Sequence, residues 1–447
     1  MEFDGTLNIF EQRPVWGRLA INLGFCFHLS EEADLAVINK KFQHALVTLA
    51  GNFPWIAGEV VTEGRDKDGS SGVSKIVSRD QMPKIISRDH RKITSIPSMQ
   101  QLRQAGIPIS MLDDSVFAPR AAAVAIPLVS RPVLMVQSNV IHGGLVLVFS
   151  GDHAAVDLPG LLQIIRWFST LCHDTRLSTT ELMTGNMSRR DLIPLLDSSY
   201  QPGEELAQQI PPNHTTGMPS SQARCSWATF KVPCHAVSEI KTAATATRTS
   251  PYVSTDDSLS AFIWQSVARA RMQRLSPDTI SKAARAINVR RILDIPSDYP
   301  GLVQNNIFHQ LPLHELSTQP LGVVASMFRD AITCKSPSLE FYSRALATAL
   351  SRTTDKGSLR VGANLNLSSD LLLSSATTSG AYQLDFALGL GLPEAVRLTR
   401  QDPFESMAYL LPFTPEGDAT ILICLRDSDL AAVMADESFS QFAQYVG

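Results

Sequence analysis

A chain of 447 residues, 44% hydrophobic and 18% charged, holds more than one core needs and points to two or three domains. Lys and Arg number 39 against 43 Asp and Glu; a net charge of −4 without long like-charge runs argues against a nucleic-acid partner. No run approaches the roughly 18 apolar residues of a membrane span, and "MEFDGTLNIFEQRPVWG" lacks the basic and apolar regions of a signal peptide, so a cytoplasmic setting without a membrane partner is expected.

In chain order, 19–28 alternates, with Leu19, Ile21, Leu23, Phe25 and Phe27 on one face of a half-buried strand. The period then changes. Leu35, Ile38, Phe42 and Leu49 mark one stripe of a helix over 31–50, with Ser30 as its cap. "FPWIAGEV" turns into another strand, and 63–75 is a polar Gly/Ser loop. "PVLMVQSNVI" and "LVLVFS" read as a hairpin turning at Gly143 and Gly144. Its second strand is apolar on both faces, which predicts a central, covered position. After Asp157 the period is helical through Leu161, Ile164, Ile165, Phe168 and Leu171. Residues 197–224 are polar and proline-bearing, the pattern of a surface connection between domains. Beyond it lie a strand at 228–232, a helix over 256–271 and a strand at 284–293. Helices at 321–333 and 338–352, strands at 381–388, 408–412 and 420–426, and a last helix over 428–445 complete the pattern.

"GDHAAVDLP" fills the turn between the covered strand and its helix. His153 and Asp157 stand there as H-x-x-x-D. Asp157, just ahead of Pro159, suits a helix cap, and His153 then reads as an ordinary turn histidine. Metal binding is disfavoured, since two ligands do not hold a zinc. Cys26, Cys172, Cys225, Cys234, Cys334 and Cys424 show neither metal-type spacing nor a disulfide framework. No G-x-S-x-G seats a serine nucleophile, no Walker A sequence is present, and "GLGLP" at 389–393 lacks the third glycine of a dinucleotide loop. What remains is one imidazole at a strand end, a group suited to general-base chemistry near neutral pH.

Five stretches taken together resemble the fungal branch of the BAHD-type acyl-CoA-dependent acyltransferases, the trichothecene 3-O-acetyltransferase-like enzymes: 53–60, 136–160, 254–271, "INVRRIL" at 287–293 and "LDFALGLGLPEAVR" at 384–397. The resemblance implies an α/β fold of two chloramphenicol-acetyltransferase-like domains. Each has a mixed sheet flanked by helices, with a channel between them. On the chain these are an N-terminal domain at 1–196, a crossover linker at 197–224 and a C-terminal domain at 225–447. His153 is implied as the general base that deprotonates an acceptor hydroxyl as it attacks the acyl-CoA thioester, with no acyl-enzyme. Asp157 is implied as structural, paired with Arg290 or, alternatively, Arg291.

"DFALGLG" is similar to the family's D-F-G-W-G run, so Asp385, Phe386, Gly389 and Gly391 are assigned to structure. Ala387 stands where the family has its first glycine, implying that positive φ is not required there or that the turn is shifted. Ser374-Ser375-Ala376 occupies the slot of a family Ser-Ser-Trp; without the indole, Ser374 and Ser375 would line a wider acceptor channel. Ser254 and Thr255 lie where relatives approach the cofactor, although a capping box from Ser254 to Asp257 explains the same residues. Acyl-CoA, with acetyl-CoA foremost, is the expected co-substrate. No permanently bound cofactor or metal is expected, and a small apolar acceptor and a monomeric enzyme are. Two rivals stand beside this reading. One is a carrier-dependent condensation enzyme, opposed by Asp152 where that class has a second histidine. The other is an inactive metabolite-binding relative, opposed by the intact His153 and Asp157.

Overall fold

Alternation over the first apolar stretch builds the strand Ala20–His28, but its residues 22–27 are buried on both faces rather than one. The strand sits second from the edge of a five-stranded sheet, ordered Ala395–Leu398, Ala20–His28, Gly144–Asp152, Leu134–Ile141 and Ile85–Asp89. On one face Phe25, Phe27 and Phe149 pack with the helices Leu35–Asn52 and Leu158–Cys172. On the other, Cys26, Val146 and Val148 meet Met99, Leu102 and Phe117. Covered on both sides, the middle strand Gly144–Asp152 is buried at every residue, in keeping with its continuous apolar run. This computed structural model describes residues 5–30, 32–65, 69–125, 130–211, 223–333, 338–387 and 389–447.

A second sheet has seven strands, ordered Gln304–Pro312, Ile280–Asn288, Leu371–Ser375, Met407–Leu410, Ala419–Arg426, Cys225–Val232 and Gln444–Tyr445. Leu371–Ser375 runs parallel to both its neighbours and the other pairings are antiparallel, so the sheet is mixed. The long helix Thr255–Arg271 is buried along nearly its whole length against this sheet and the helix Leu321–Thr333. A small third sheet joins Val73–Val77, Glu59–Glu63 and Arg131–Pro132. The architecture is mixed α/β, two main sheets each flanked by helices.

Several expected elements differ. The first long helix is capped by Asp34, whose carboxylate accepts from the amides of Ala36 and Val37, rather than by Ser30. The 284–293 stretch is not one strand: Ile280–Asn288 ends there, and a 3-10 turn over Arg291–Leu293 follows. No strand forms over 381–387, which is a 3-10 turn (Ala381–Gln383) and irregular chain; Leu388 lies outside the described residues. The last helix breaks at Asp436 into Asp427–Ala435 and Glu437–Ser440, and a short edge strand follows. Of the connection at 197–224, 212–222 lies outside the described residues, as does Cys334.

The two halves exchange material. Ala395–Leu398, from the C-terminal half, pairs antiparallel with Ala20–His28, Leu23 opposite Leu398. The five-stranded sheet is therefore not built from the first 196 residues alone. In return, Glu11 reaches the 299–303 segment of the second half. Its carboxylate accepts from the amides of Asn8 and Leu302 and from Arg189. Asn8 also donates to the Leu302 carbonyl at 3.1 Å. These buried bonds fasten the segment whose Tyr299 and Gly301 carbonyls hold Arg290 and whose Val303 amide donates to Asp157.

Candidate active site

The strand Gly144–Asp152 delivers His153 at its C-terminal end, where the chain turns before the helix Leu158–Cys172. The turn is tight: the amides of Ala155 and Val156 both donate to the Asp152 carbonyl, at 2.9 and 3.0 Å. Asp152 itself is buried and paired with Arg131 at 2.9 Å. The His153 amide donates to the Leu19 carbonyl at 3.0 Å, which ties the turn to the neighbouring strand.

The His153 ring has one defined tautomer. Its Nδ1 lies 3.1 Å from the Val156 carbonyl, and a carbonyl can only accept, so Nδ1 carries the proton. Nε2 is left with its lone pair, and no described residue engages it. The ring stacks on Trp16, centroids 4.7 Å apart with 28° between planes, and stays half-buried. Burial pushes its pKa below the ordinary 6.5, outweighing the opposing pull of Asp157. At neutral pH the imidazole is therefore uncharged and able to accept a proton.

Asp157 is turned away from that chemistry. Its carboxylate caps the following helix by accepting from the Gly160 amide at 2.8 Å. It also accepts two bonds from the Arg290 guanidinium, at 2.7 and 2.9 Å, and one from the Val303 amide at 2.9 Å. Both side chains are 1% exposed. Arg290 stands after the strand has ended, where φ is −52° and ψ is −56°, so alternation along a strand does not set its direction. Arg290 also donates to the carbonyls of Tyr299 and Gly301 and to Asn288 Oδ1, while Arg291 is exposed. Gly160 marks the closeness of the two halves: a Cβ there would lie 1.9 Å from the Pro300 carbonyl oxygen.

The D-F run lies elsewhere in the first half's core. Phe386 is fully buried among Phe25, Phe27, Phe149 and Phe168. The Asp385 carbonyl accepts from Ser169 Oγ, and its carboxylate accepts from the Ala387 amide at 2.9 Å. Ala387 adopts φ +62°, so the left-handed turn persists although the glycine is gone, correcting the expectation that it is dispensable or displaced. Gly389 and Gly391 also have positive φ, +71° and +70°. The Cβ of Ala387 is strained in that region. Ala387→Gly is accordingly expected to raise stability by about 0.5–1 kcal/mol, seen as a higher urea midpoint with unchanged turnover.

Ser374 and Ser375 end the strand Leu371–Ser375. Ser375 Oγ donates to Asp256. Ser374 and Ala376 border a small apolar cavity between the two halves, closed by Leu23, Leu158, Leu162 and Tyr409. Ala376, in the slot where the resemblance implies an indole, thus faces leucine-lined space. Ser254 caps the helix Thr255–Arg271 in a reciprocal box with Asp257. Asp257 in turn pairs with Arg285 and Arg329. Thr255 is the first helical residue, half-buried. Beside this terminus Lys241 and Arg329 both lie over the exposed Tyr252 ring, at 4.7 and 5.4 Å.

The structure therefore joins Asp157 to Arg290 across the two halves, with His153 at the start of the same turn, and leaves Asp385, Gly389 and Gly391 apart from it. Sequence reasoning passed over Trp16, the platform under the imidazole, because 5–18 has no regular period. Among the described residues, no group of three or more His, Cys, Asp or Glu side chains could hold a metal ion, and no helix is long and apolar enough to cross a membrane.

Comparison with known proteins matches the same frame. A family described as trichothecene 3-O-acetyltransferase-like N-terminal domain matches residues 19–172, and the transferase family matches 113–440. The O-acetyltransferase dmxR13 of Cryptosporiopsis sp. is 40% identical, over 100% of this chain and 98% of its own length. Trichothecene 3-O-acetyltransferase TRI101 of Fusarium sporotrichioides is 38% identical, over 100% of this chain and 98% of its own. The crystal structure of that enzyme with coenzyme A and T-2 superposes over all of both chains with a TM-score of 0.93. The Fusarium graminearum TRI101 structure with coenzyme A and deoxynivalenol, 33% identical, does so over all of both chains with a TM-score of 0.96.

Proposed function

The chain belongs to the transferase family, among its trichothecene 3-O-acetyltransferase-like members, and is an acyl-CoA-dependent O-acyltransferase; on that premise we propose that His153 is its general base and that the acceptor is an apolar hydroxylated secondary metabolite. The observation that carries this reading is the His153 ring. Nδ1 is committed to Val156, no described residue engages Nε2, and the ring opens the turn whose Asp157 is held by Arg290 of the other half.

Nε2 takes the proton of the acceptor hydroxyl as its oxygen attacks the thioester carbonyl. The tetrahedral intermediate then collapses, and the imidazolium returns the proton to the departing thiolate. A thioester is an activated acyl donor, so positioning and one base suffice. Asp157, Arg290 and Gly160 are positioning residues that fix the turn. Ser254 and Thr255, with Lys241 nearby, are our candidates for contact with coenzyme A, because cations and a helix N-terminus suit its phosphates. Ser374 and Ser375 border the acceptor side. Acetyl is the favoured acyl group, given the named activities of the relatives. A monomer is part of the same reading, and an acyl-CoA donor suits the cytoplasm.

The test is thiol release from acetyl-CoA against a panel of hydroxylated terpenoids, polyketides and alkaloids. Acceptor-dependent release is expected. Binding of acetyl-CoA without release by any acceptor would favour the inactive relative, and release only from a carrier-bound thioester would favour the condensation class. The same assay gives a pH prediction. A base whose pKa is depressed is deprotonated above that value, so kcat/KM should be flat through neutral pH. It should fall only as pH drops below 6.5; an acid limb centred above 6.5 contradicts the assignment.

A further inference from the structure

Trp16 carries a second group besides the imidazole. The Arg13 guanidinium lies over the same indole, 4.9 Å from its centroid, and Arg13 is only 3% exposed. No carboxylate pairs with it among the described residues. Its Nε makes one long bond, 3.4 Å, to the Phe10 carbonyl, and its Nη2 is buried with no partner among the described residues. Burying an unpaired cation is expensive, and here no ion pair offsets it. Burial lowers its pKa to about 9, which still leaves it charged at neutral pH.

The other charges around the turn are held differently. Asp157 is neutralised by Arg290, and Asp152 by Arg131. Glu11 pairs with Arg189, which also donates to the Ala155 carbonyl. Arg120 is bound to Ser150 and to the Pro132 carbonyl, close enough to Asp152 to share its charge. Arg13 is thus the uncompensated cation on the platform of the imidazole.

Resting on His153 as the base, we infer that Arg13 is an electrostatic positioning residue: its unpaired charge, held on Trp16, disfavours the imidazolium. The effect bears on the resting state and on the second half-step. It keeps Nε2 unprotonated in the resting enzyme, and it makes the imidazolium, once formed, a readier donor to the coenzyme A thiolate. A Coulombic contribution of Arg13 to His153 in this direction accompanies the geometry.

The experiment titrates His153 directly, by NMR of ring-labelled histidine in the resting enzyme. The protein's 10 histidines require that its signal be assigned by difference against His153→Gln. Arg13→Met keeps a side chain on the indole and removes the charge; Arg13→Lys restores a cation. The His153 midpoint should rise by about half a unit or more in Arg13→Met and return toward wild type in Arg13→Lys. The acid limb of kcat/KM should move with it. Arg13→Gln replaces the methionine variant should that fail to fold. An unmoved midpoint in the neutral variants overturns the inference without touching the role of His153. Loss of activity with an unmoved midpoint would mark Arg13 as merely structural.

Discussion

Replacing His153 with alanine is expected to lower kcat by about 10²- to 10⁴-fold, the usual contribution of a positioned general base, with little change in melting temperature. The two halves of that expectation come from different contacts. The imidazole side chain holds the fold through one hydrogen bond, to the Val156 carbonyl, and its stack on Trp16. The turn itself is held by the backbone bonds of Ala155 and Val156 to Asp152, and by Asp157 beyond it. Those survive the substitution. The chemistry does not, because no neighbouring carboxylate is free to take over: Asp157 already accepts bonds from Gly160, Arg290 and Val303, and Asp152 is committed to Arg131. KM for acetyl-CoA should stay near wild type, since the base acts in the transition state rather than in binding the donor. Thiol release and thermal melting, measured on the same preparation, decide it. A mutant rate within tenfold of wild type would place the base elsewhere.

Legibility in the sequence followed how locally each feature is encoded. Gly144–Asp152 was readable as a covered strand because burial on both faces leaves an unbroken apolar run. Asp157 was readable as a cap because Pro159 at the start of a helix needs no amide partner. The edge strand Ala395–Leu398 was not: four residues are too short for a period, and what makes it a strand is a partner some 370 residues away. The stretch just before it looked more strand-like, yet left-handed Ala387 and Gly389 forbid a strand there. Arg290 was reached through family resemblance, and for a physical reason its own pattern was silent. The chain leaves the sheet at Asn288, so alternation says nothing about which way Arg290 points. Arg13 and Trp16 sit in an irregular segment where only tertiary contact distinguishes them.

Asp157→Ala should destabilise the protein by about 3–5 kcal/mol, the range for stranding one partner of a buried ion pair. The value of the pair lies less in its mutual attraction than in what each half leaves behind. Without the carboxylate, Arg290 retains its bonds to Tyr299, Gly301 and Asn288 but keeps a buried, uncompensated charge. The Gly160 and Val303 amides lose their acceptor as well. Asp157→Asn keeps an oxygen for the cap and should fall between wild type and alanine. The double variant Asp157→Ala/Arg290→Met removes the stranded charge along with its partner, so its loss should be smaller than the sum of the two single losses. Urea midpoints of wild type, Asp157→Ala, Arg290→Met and the double variant give that coupling directly. Activity separates this role from a catalytic one. Asp157 accepts only from groups that hold the turn, so kcat per folded molecule should follow the integrity of the turn and recover in part in the double variant. A protein that keeps its wild-type midpoint with Asp157→Ala yet loses turnover would show the carboxylate taking part in the chemistry, and would return the base to a coupled pair rather than to His153 alone.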